Sequence, residues 1–222
     1  MSKSYGLALW WWWARWIAHI WVIKYIEEKN IKINEISWTS MWAIIWACFA
    51  IWKTSDDMID IIKNINFLKL IDLNLHQAIL SWDKVFKILE NIFWDKTFKD
   101  TNIPLKIIAS DINTQEKIVF TSWKIVDAVR ASISLPWIFK PYKIWENEYI
   151  DWWIFSNLPV LELYQKNILA VSVIREPNKN NLKTHKKILW INFKTSFWKY
   201  NYQILRKSFS SIMKSNEDLA LE

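Results

Sequence analysis

Ser40 is the first residue with a chemical setting. It stands in Trp38-Thr39-Ser40-Met41-Trp42, after a short strand-like run at 35–37 and before an apolar helical stretch. A serine on a strained strand-to-helix turn presents its hydroxyl to a cleft, and the positive end of the following helix lies beside developing negative charge. Asp151 is the second. It follows the strand-like Glu148–Ile150 and precedes Trp152-Trp153; a carboxylate there can turn into a cleft and accept a proton. The third feature is the run Trp10–Trp13 between a first strand and a first helix. Bare backbone N–H groups at that place cradle an anion, either a nucleotide phosphate or the oxyanion of ester hydrolysis. Arg15 adds five fixed donors that can brace the loop or attract a phosphate.

All three features work with glycine where the chain has tryptophan. Of 222 residues, 19 are Trp and one, Gly6, is Gly. Ordinary usage gives about 7% Gly, roughly 16 residues in a chain of this length. The two types have changed places. UGA is a stop in the standard code, Trp in some bacteria and Gly in others. A UGA-Gly gene read with a UGA-Trp table produces this composition. The 25 Lys against 4 Arg and the 35 Ile fit an A/T-rich genome in which such reassignment occurs. The expectation is that most of these Trp are Gly in the organism's own protein.

With Gly restored, 38–42 reads Gly-Thr-Ser-Met-Gly, a nucleophile elbow whose outer positions must be small because strand and helix approach closely. Residues 9–16 read Leu-Gly-Gly-Gly-Gly-Ala-Arg-Gly, and 151–153 read Asp-Gly-Gly. Together these motifs resemble the patatin-like phospholipases, in particular the small single-domain bacterial members. Ala131-Ser132-Ile133-Ser134-Leu135-Pro136-Trp137-Ile138-Phe139-Lys140-Pro141 looks like that family's Ala-Ser-x-x-x-Pro-Gly-x-Phe-x-Pro segment. Ser110-Asp111-Ile112-Asn113 looks like its Thr-Asp-x-x strand end. The resemblance covers about residues 5–175. Taken literally, every glycine of these motifs is Trp.

The resemblance implies a Ser–Asp dyad without histidine. Ser40 would attack an ester carbonyl, and Asp151 would take its proton and return it to the leaving alcohol. The N–H groups at Trp11, Trp12 and Trp13, where Gly is expected, would form the oxyanion hole. Arg15 would support that loop, Trp38 and Trp42 would be the elbow glycines, and Trp152 and Trp153 the glycines after the base. The substrate would be a lipid or acyl ester, cleaved to a free fatty acid and a lysolipid or alcohol. No cofactor and no metal enter this reading.

Each residue also has a plainer role. Ser40 could be a helix N-cap, Asp151 a turn residue and Arg15 half of a salt bridge. His19 follows Arg15 by one helical turn and is expected to pack or cap. His76 and His185 have no partner pattern. Asp111 reads as structural, Ser132 and Ser134 as packing or hydrogen-bonding residues near the Pro136 turn, and Cys48 as core.

The elements that must position these groups follow from periodicity and punctuation. Strands are predicted at 5–9, 35–37, 104–111, 117–121 and 167–174, with a hairpin of 142–144 and 148–150 around the turn 145–147. Helices are predicted at 15–29, from 42 to about 51, at 56–64 with Ser55-Asp56-Asp57 as cap, at 83–93, at 124–133 and at 200–215. Residues 175–187 read as loop. Strands alternate with helices, so the fold class is α/β, a three-layer α/β/α sandwich with a mostly parallel central sheet. The expected domain is an acyl hydrolase core over 5–175, with 176–222 as a C-terminal loop and helix packing on it. The last residues, Leu-Ala-Leu-Glu, bring no cap or closing strand, so a truncated end is left open.

Composition bounds the class. The chain is 52% hydrophobic and 23% charged, which excludes collagen-like and low-complexity classes. Net charge is +7; this fits codon bias toward Lys, or attraction to anionic lipid head groups. Basic runs stop at two residues, Lys186-Lys187, which gives no support to nucleic-acid binding. Cys48 is the single cysteine and makes neither an internal disulfide nor a zinc site. Leu7–Ile23 is apolar but carries Arg15 and His19 and falls short of a span, and no secretory cleavage pattern follows. The expected location is cytoplasmic, free or peripheral at a membrane surface. Three rivals remain open: a membrane-surface binding protein with genuine interfacial Trp, a catalytically silent scaffold of the same fold, and a non-lipid esterase or thioesterase.

Overall fold

The computed structural model describes residues 4–10, 16–64, 82–136, 139–152, 159–172 and 187–192. The strands are β1 (Ser4–Trp10), β2 (Lys32–Thr39), β3 (Leu105–Asp111), β4 (Lys117–Phe120), β5 (Tyr142–Ile144), β6 (Asn147–Ile150), β7 (Asn167–Ser172) and β8 (Lys187–Asn192). The helices are α1 (Trp16–Glu28), α2 (Trp42–Ala50), α3 (Ser55–Asn64), α4 (Trp82–Phe93) and α5 (Ile125–Ser132). Short 3-10 turns occupy Phe98–Asp100 and Pro159–Glu162.

One sheet joins all eight strands. Its body is parallel, running β3-β2-β1-β7-β8, and β4, β6 and β5 add antiparallel pairing at the β3 side. The α/β sandwich follows from the hydrophobic pattern. Every residue of β3 is buried, as a strand covered on both faces requires. Helix α2, Trp-Ala-Ile-Ile-Trp-Ala-Cys-Phe-Ala, is apolar on nearly every side and buries seven of its nine residues. A short helix of that kind must lie inside a helical layer, and α2 touches α1, α3, α4 and α5. The main core runs from Ile20, Ile23 and Ile26 of α1 through α2 and β2 to Leu89, Phe93, Val129 and Ile133. A smaller cluster, Val160, Leu163, Ile168 and Ala170, covers the alternate residues of β7.

Elements agree with expectation within a few residues, with three corrections. The cap of α3 is Thr54: its Oγ1 accepts the Asp57 N–H at 3.1 Å while Asp57 Oδ2 accepts the Thr54 N–H at 2.8 Å. That is a capping box shifted one residue upstream of the predicted cap. The second correction is β8, parallel to β7: it begins at Lys187, where the sequence predicts the end of a loop and no strand. Third, β2 is longer than 35–37, because pairing with β1 extends it back to Lys32 and pairing with β3 extends it on to Thr39, into the predicted turn. The predicted helix 200–215 and the loop 175–186 lie outside the described residues.

Helices α1 and α2 end alike. Beyond α1, Asn30 has φ 50°, its N–H reaches Glu27 O at 3.1 Å, and the Ile31 N–H reaches Ile26 O at 3.0 Å. Beyond α2, Trp52 has φ 67°, its N–H reaches Phe49 O at 3.2 Å, and the Lys53 N–H reaches Cys48 O at 3.0 Å. Both are Schellman ends, whose left-handed position favours Gly and next Asn. Trp94 (47°), Trp123 (79°) and Trp145 (53°) also have positive φ. Among the described residues no helix is long and apolar enough to cross a membrane.

Candidate active site

Residue β3 Ser110 pairs with Lys117 of β4 and with Ile150 of β6. Ile107 and Ile108 pair with β4 and also with Trp38 and Thr39 of β2. A strand has two sides, so β2 and β6 share one side of β3 in succession, and β4 takes the other. β2 ends at the Thr39–Ile108 pair, and β6 arrives from the opposite direction and ends at the Ile150–Ser110 pair. The residues that follow each end are Ser40 and Asp151. Along β3 only Ala109 separates the two paired positions, Ile108 and Ser110, so both candidates leave their strands at the same short gap.

Ser40 occupies this gap in a strained conformation. Its φ is 67°, a left-handed value that costs a non-glycine residue about 1–2 kcal/mol. Its Ala43-directed carbonyl accepts at 2.9 Å and opens α2. The residue is buried, and its Oγ has no hydrogen-bond partner among the described residues. Its N–H donates to Ser132 Oγ at 2.8 Å, and Ser132 Oγ in turn donates to Ile108 O at 2.6 Å.

Asp151 is fully buried. Its N–H donates to Ser134 O at 2.9 Å, while Ser134 Oγ donates to Arg130 O at 2.9 Å. The turn closing α5 therefore touches both candidate residues. No hydrogen bond joins Ser40 Oγ to Asp151.

Trp38 and Trp42 flank Ser40 as the spacing predicts, and both are fully buried with Trp46. None of the three indole N–H groups finds an acceptor. His19 stacks on Trp42 at 4.3 Å between ring centroids. It is fully buried, and burial pulls its imidazolium from 6.5 down to about 3. It is a neutral packing residue of α1, in line with its plainer role. Cys48 is core, its thiol pushed up to about 12 by burial. Asp111 shapes a turn: its Oδ1 accepts from the N–H groups of Asn113 (2.8 Å) and Thr114 (3.2 Å). Trp152 follows Asp151 and is partly buried. Trp11, Trp12, Trp13, Arg15, Trp153, His76 and His185 lie outside the described residues. Among those described, no group of three or more His, Cys, Asp or Glu could hold a metal ion.

Ser132 is expected from the sequence to pack or hydrogen-bond near Pro136. The structure places it on Ser40, a contact between residues far apart in sequence that no local spacing reveals.

Comparison with known proteins follows the same outline. Residues 14–164 match the family model of the patatin-like phospholipases. An uncharacterized NTE family protein of Mycobacterium bovis is 27% identical over 167 residues, 72% of this chain and 46% of that protein. A patatin-like phospholipase domain-containing protein of Caenorhabditis elegans is 27% identical over 149 residues, 63% of this chain and 11% of that protein. The chain thus spans less than half the length of these relatives. The crystal structure of VipD from Legionella pneumophila shares the fold, with TM-score 0.63 and 11% identity over 96% of this chain and 66% of that one. With the match covering well over half of its residues, this chain belongs to the patatin-like phospholipase family.

Proposed function

We propose that the chain is a serine acyl hydrolase that cleaves lipid carboxylic esters, in the manner of a phospholipase A or lysophospholipase. The observation that carries this reading is the convergence of Ser40, strained at φ 67° on a strand-to-helix turn, with buried Asp151 at one gap in the β3 ladder. The carboxyl ends of parallel strands are where open α/β sheets bind ligands.

In this mechanism Ser40 Oγ attacks the ester carbonyl carbon and its proton passes to the Asp151 carboxylate. The carbonyl oxygen takes the negative charge and is met by the N–H groups of residues 11–13. The alcohol leaves with the proton from Asp151. Water, deprotonated by Asp151, then attacks the acyl–Ser40 ester; the acyl–Oγ bond breaks, Asp151 returns the proton to Ser40 Oγ, and a fatty acid is released. Each oxyanion donor contributes about 2.7–4 kcal/mol in serine hydrolases. The acyl hydrolase core spans 5–175, and the +7 charge draws it to anionic lipid surfaces from the cytoplasm.

The same reading makes most of the Trp residues Gly in the natural protein. Among the described residues, four of the seven non-glycine residues with positive φ are Trp. All four, Trp52, Trp94, Trp123 and Trp145, have more than half of their surface exposed, which is an uncommon place for the largest side chain. Buried indole N–H groups without acceptors, at Trp38, Trp42 and Trp46, each cost about 1–3 kcal/mol.

The test is to express the full chain with Gly at all 19 Trp positions and assay short- and long-chain acyl esters. Hydrolysis lost in Ser40→Ala and in Asp151→Ala supports the reading. Hydrolysis that survives Ser40→Ala overturns it. UGG codons at most of the Trp positions would end the glycine proposal separately.

A further inference from the structure

The Ser40 N–H and the Ile108 carbonyl sit where the β3 ladder has lost its partner strand. β2 has turned away at Ser40, and β6 has not yet begun to pair. A buried donor and a buried acceptor left open there would each cost the turn its stability. Ser132 Oγ meets both at once, accepting from Ser40 at 2.8 Å and donating to Ile108 O at 2.6 Å, a shorter bond than the 3.5 Å one that the same carbonyl accepts from Thr39 Oγ1. Two residues on, the Ser134 carbonyl takes the Asp151 N–H at 2.9 Å. Ser132 and Ser134 are themselves fully buried, and Ser134 Oγ is tied back to Arg130 O of α5 at 2.9 Å.

We propose that Ser132 is a positioning residue for the Ser40 nucleophile: its hydroxyl replaces the missing ladder contact and holds the elbow in its left-handed conformation. One turn at the end of α5 then sets where both Ser40 and Asp151 stand. A hydroxyl is needed because the position must accept from an N–H and donate to a C=O together. Alanine does neither, and cysteine does both weakly. The catalytic consequence rests on the reading of Ser40 as nucleophile; the structural consequence does not.

The experiment compares Ser132→Ala, Ser132→Cys and Ser132→Thr in the full-length glycine-containing chain. Amide hydrogen exchange of Ser40 reads the contact directly. Exchange at Ser40 is expected to speed up by about tenfold in Ser132→Ala, as loss of one hydrogen bond allows, and to stay slow in Ser132→Thr. With an acyl ester, kcat is expected to fall about 10–100-fold in Ser132→Ala at nearly constant KM, the size of loss a small misplacement brings. Ser132→Thr should restore it. Ser132→Cys keeps the volume and carries the comparison if Ser132→Ala does not fold. Unchanged Ser40 exchange in the Ala and Cys variants overturns the proposal whatever the activity. Slowed turnover tracking KM instead of kcat overturns the positioning role. Absence of hydrolysis in the parent chain counts against the proposed function alone, because the exchange measurement still decides the Ser132 contact.

Discussion

The Asp151 N–H donates to the Ser134 carbonyl at 2.9 Å, two residues beyond the hydroxyl that accepts from Ser40. The base candidate is thus held through its backbone N–H. Asp151→Asn keeps that N–H and nearly the same volume while removing the proton acceptor. Turnover of an acyl ester is expected to fall by about 10²–10⁴, the contribution of general base catalysis, with the fold unchanged by circular dichroism. Turnover within a few-fold of the parent would remove Asp151 from the mechanism.

A second expectation concerns Trp52. It sits at the left-handed position after α2 with φ 67° and 74% of its surface exposed, so its ring buries little. In a chain carrying Gly at the other Trp positions, Trp52→Gly is expected to stabilise by about 1–2 kcal/mol, the left-handed cost of an L-residue. Urea unfolding checks the sign, and a destabilised Trp52→Gly would contradict it. Summed over many such positions, the Trp-containing chain is expected to be insoluble or inactive, since a domain has only about 5–15 kcal/mol to lose.

At the other end of the sheet, Lys106 Nζ meets Glu35 Oε1 at 2.6 Å, with both side chains nearly buried. Glu35 Oε2 also accepts from the Tyr164 N–H at 2.6 Å, and Lys106 lies 3.6 Å from the centre of the Tyr164 ring. This cluster fastens residues 162–165 across β2 and β3. Lys106→Met leaves the Glu35 charge buried, and a loss of about 3–5 kcal/mol is expected. Replacing both, Glu35→Leu with Lys106→Met, is expected to cost less than Lys106→Met alone. Chemical denaturation of the single and double variants decides, and equal or additive losses would exclude the coupling.

His19 makes stability depend on pH. Burial lowers its folded-state value from 6.5 to about 3, so the unfolded chain takes up the proton first on acidification. The His19 contribution is therefore complete above about pH 6.5 and is lost as pH falls toward 3, at up to about 1.4 kcal/mol per unit. Unfolding free energies at pH 7 and pH 5 are expected to differ by about 2 kcal/mol more in the parent than in His19→Gln. Parallel pH slopes in the two proteins would refute this.

Much of the fold was legible because local physics writes it locally. The apolar runs of β1, β3 and β7, the helical period of α1 and α4 and the hairpin of β5 and β6 need only neighbours in sequence. The elbow at Ser40 was legible for the same reason: strand, turn and helix are consecutive. The cap of α3 was misplaced by one residue because Thr54, Ser55, Asp56 and Asp57 are all plausible caps, and only the backbone geometry chooses Thr54. β8 was missed because its six residues acquire a register only against β7.

By itself the chain determined which residue types could do chemistry and the order in which they come: a run of Trp after a first strand, a serine on a turn and an aspartate at a strand end. Tertiary structure alone decided that β2 and β6 share one side of β3, that Ser40 and Asp151 follow strand ends one β3 residue apart, and that Ser132 bridges the Ser40 N–H and the Ile108 carbonyl. Hydrogen-bond register between distant strands is a property of the whole sheet. No window of sequence contains both partners of such a pair.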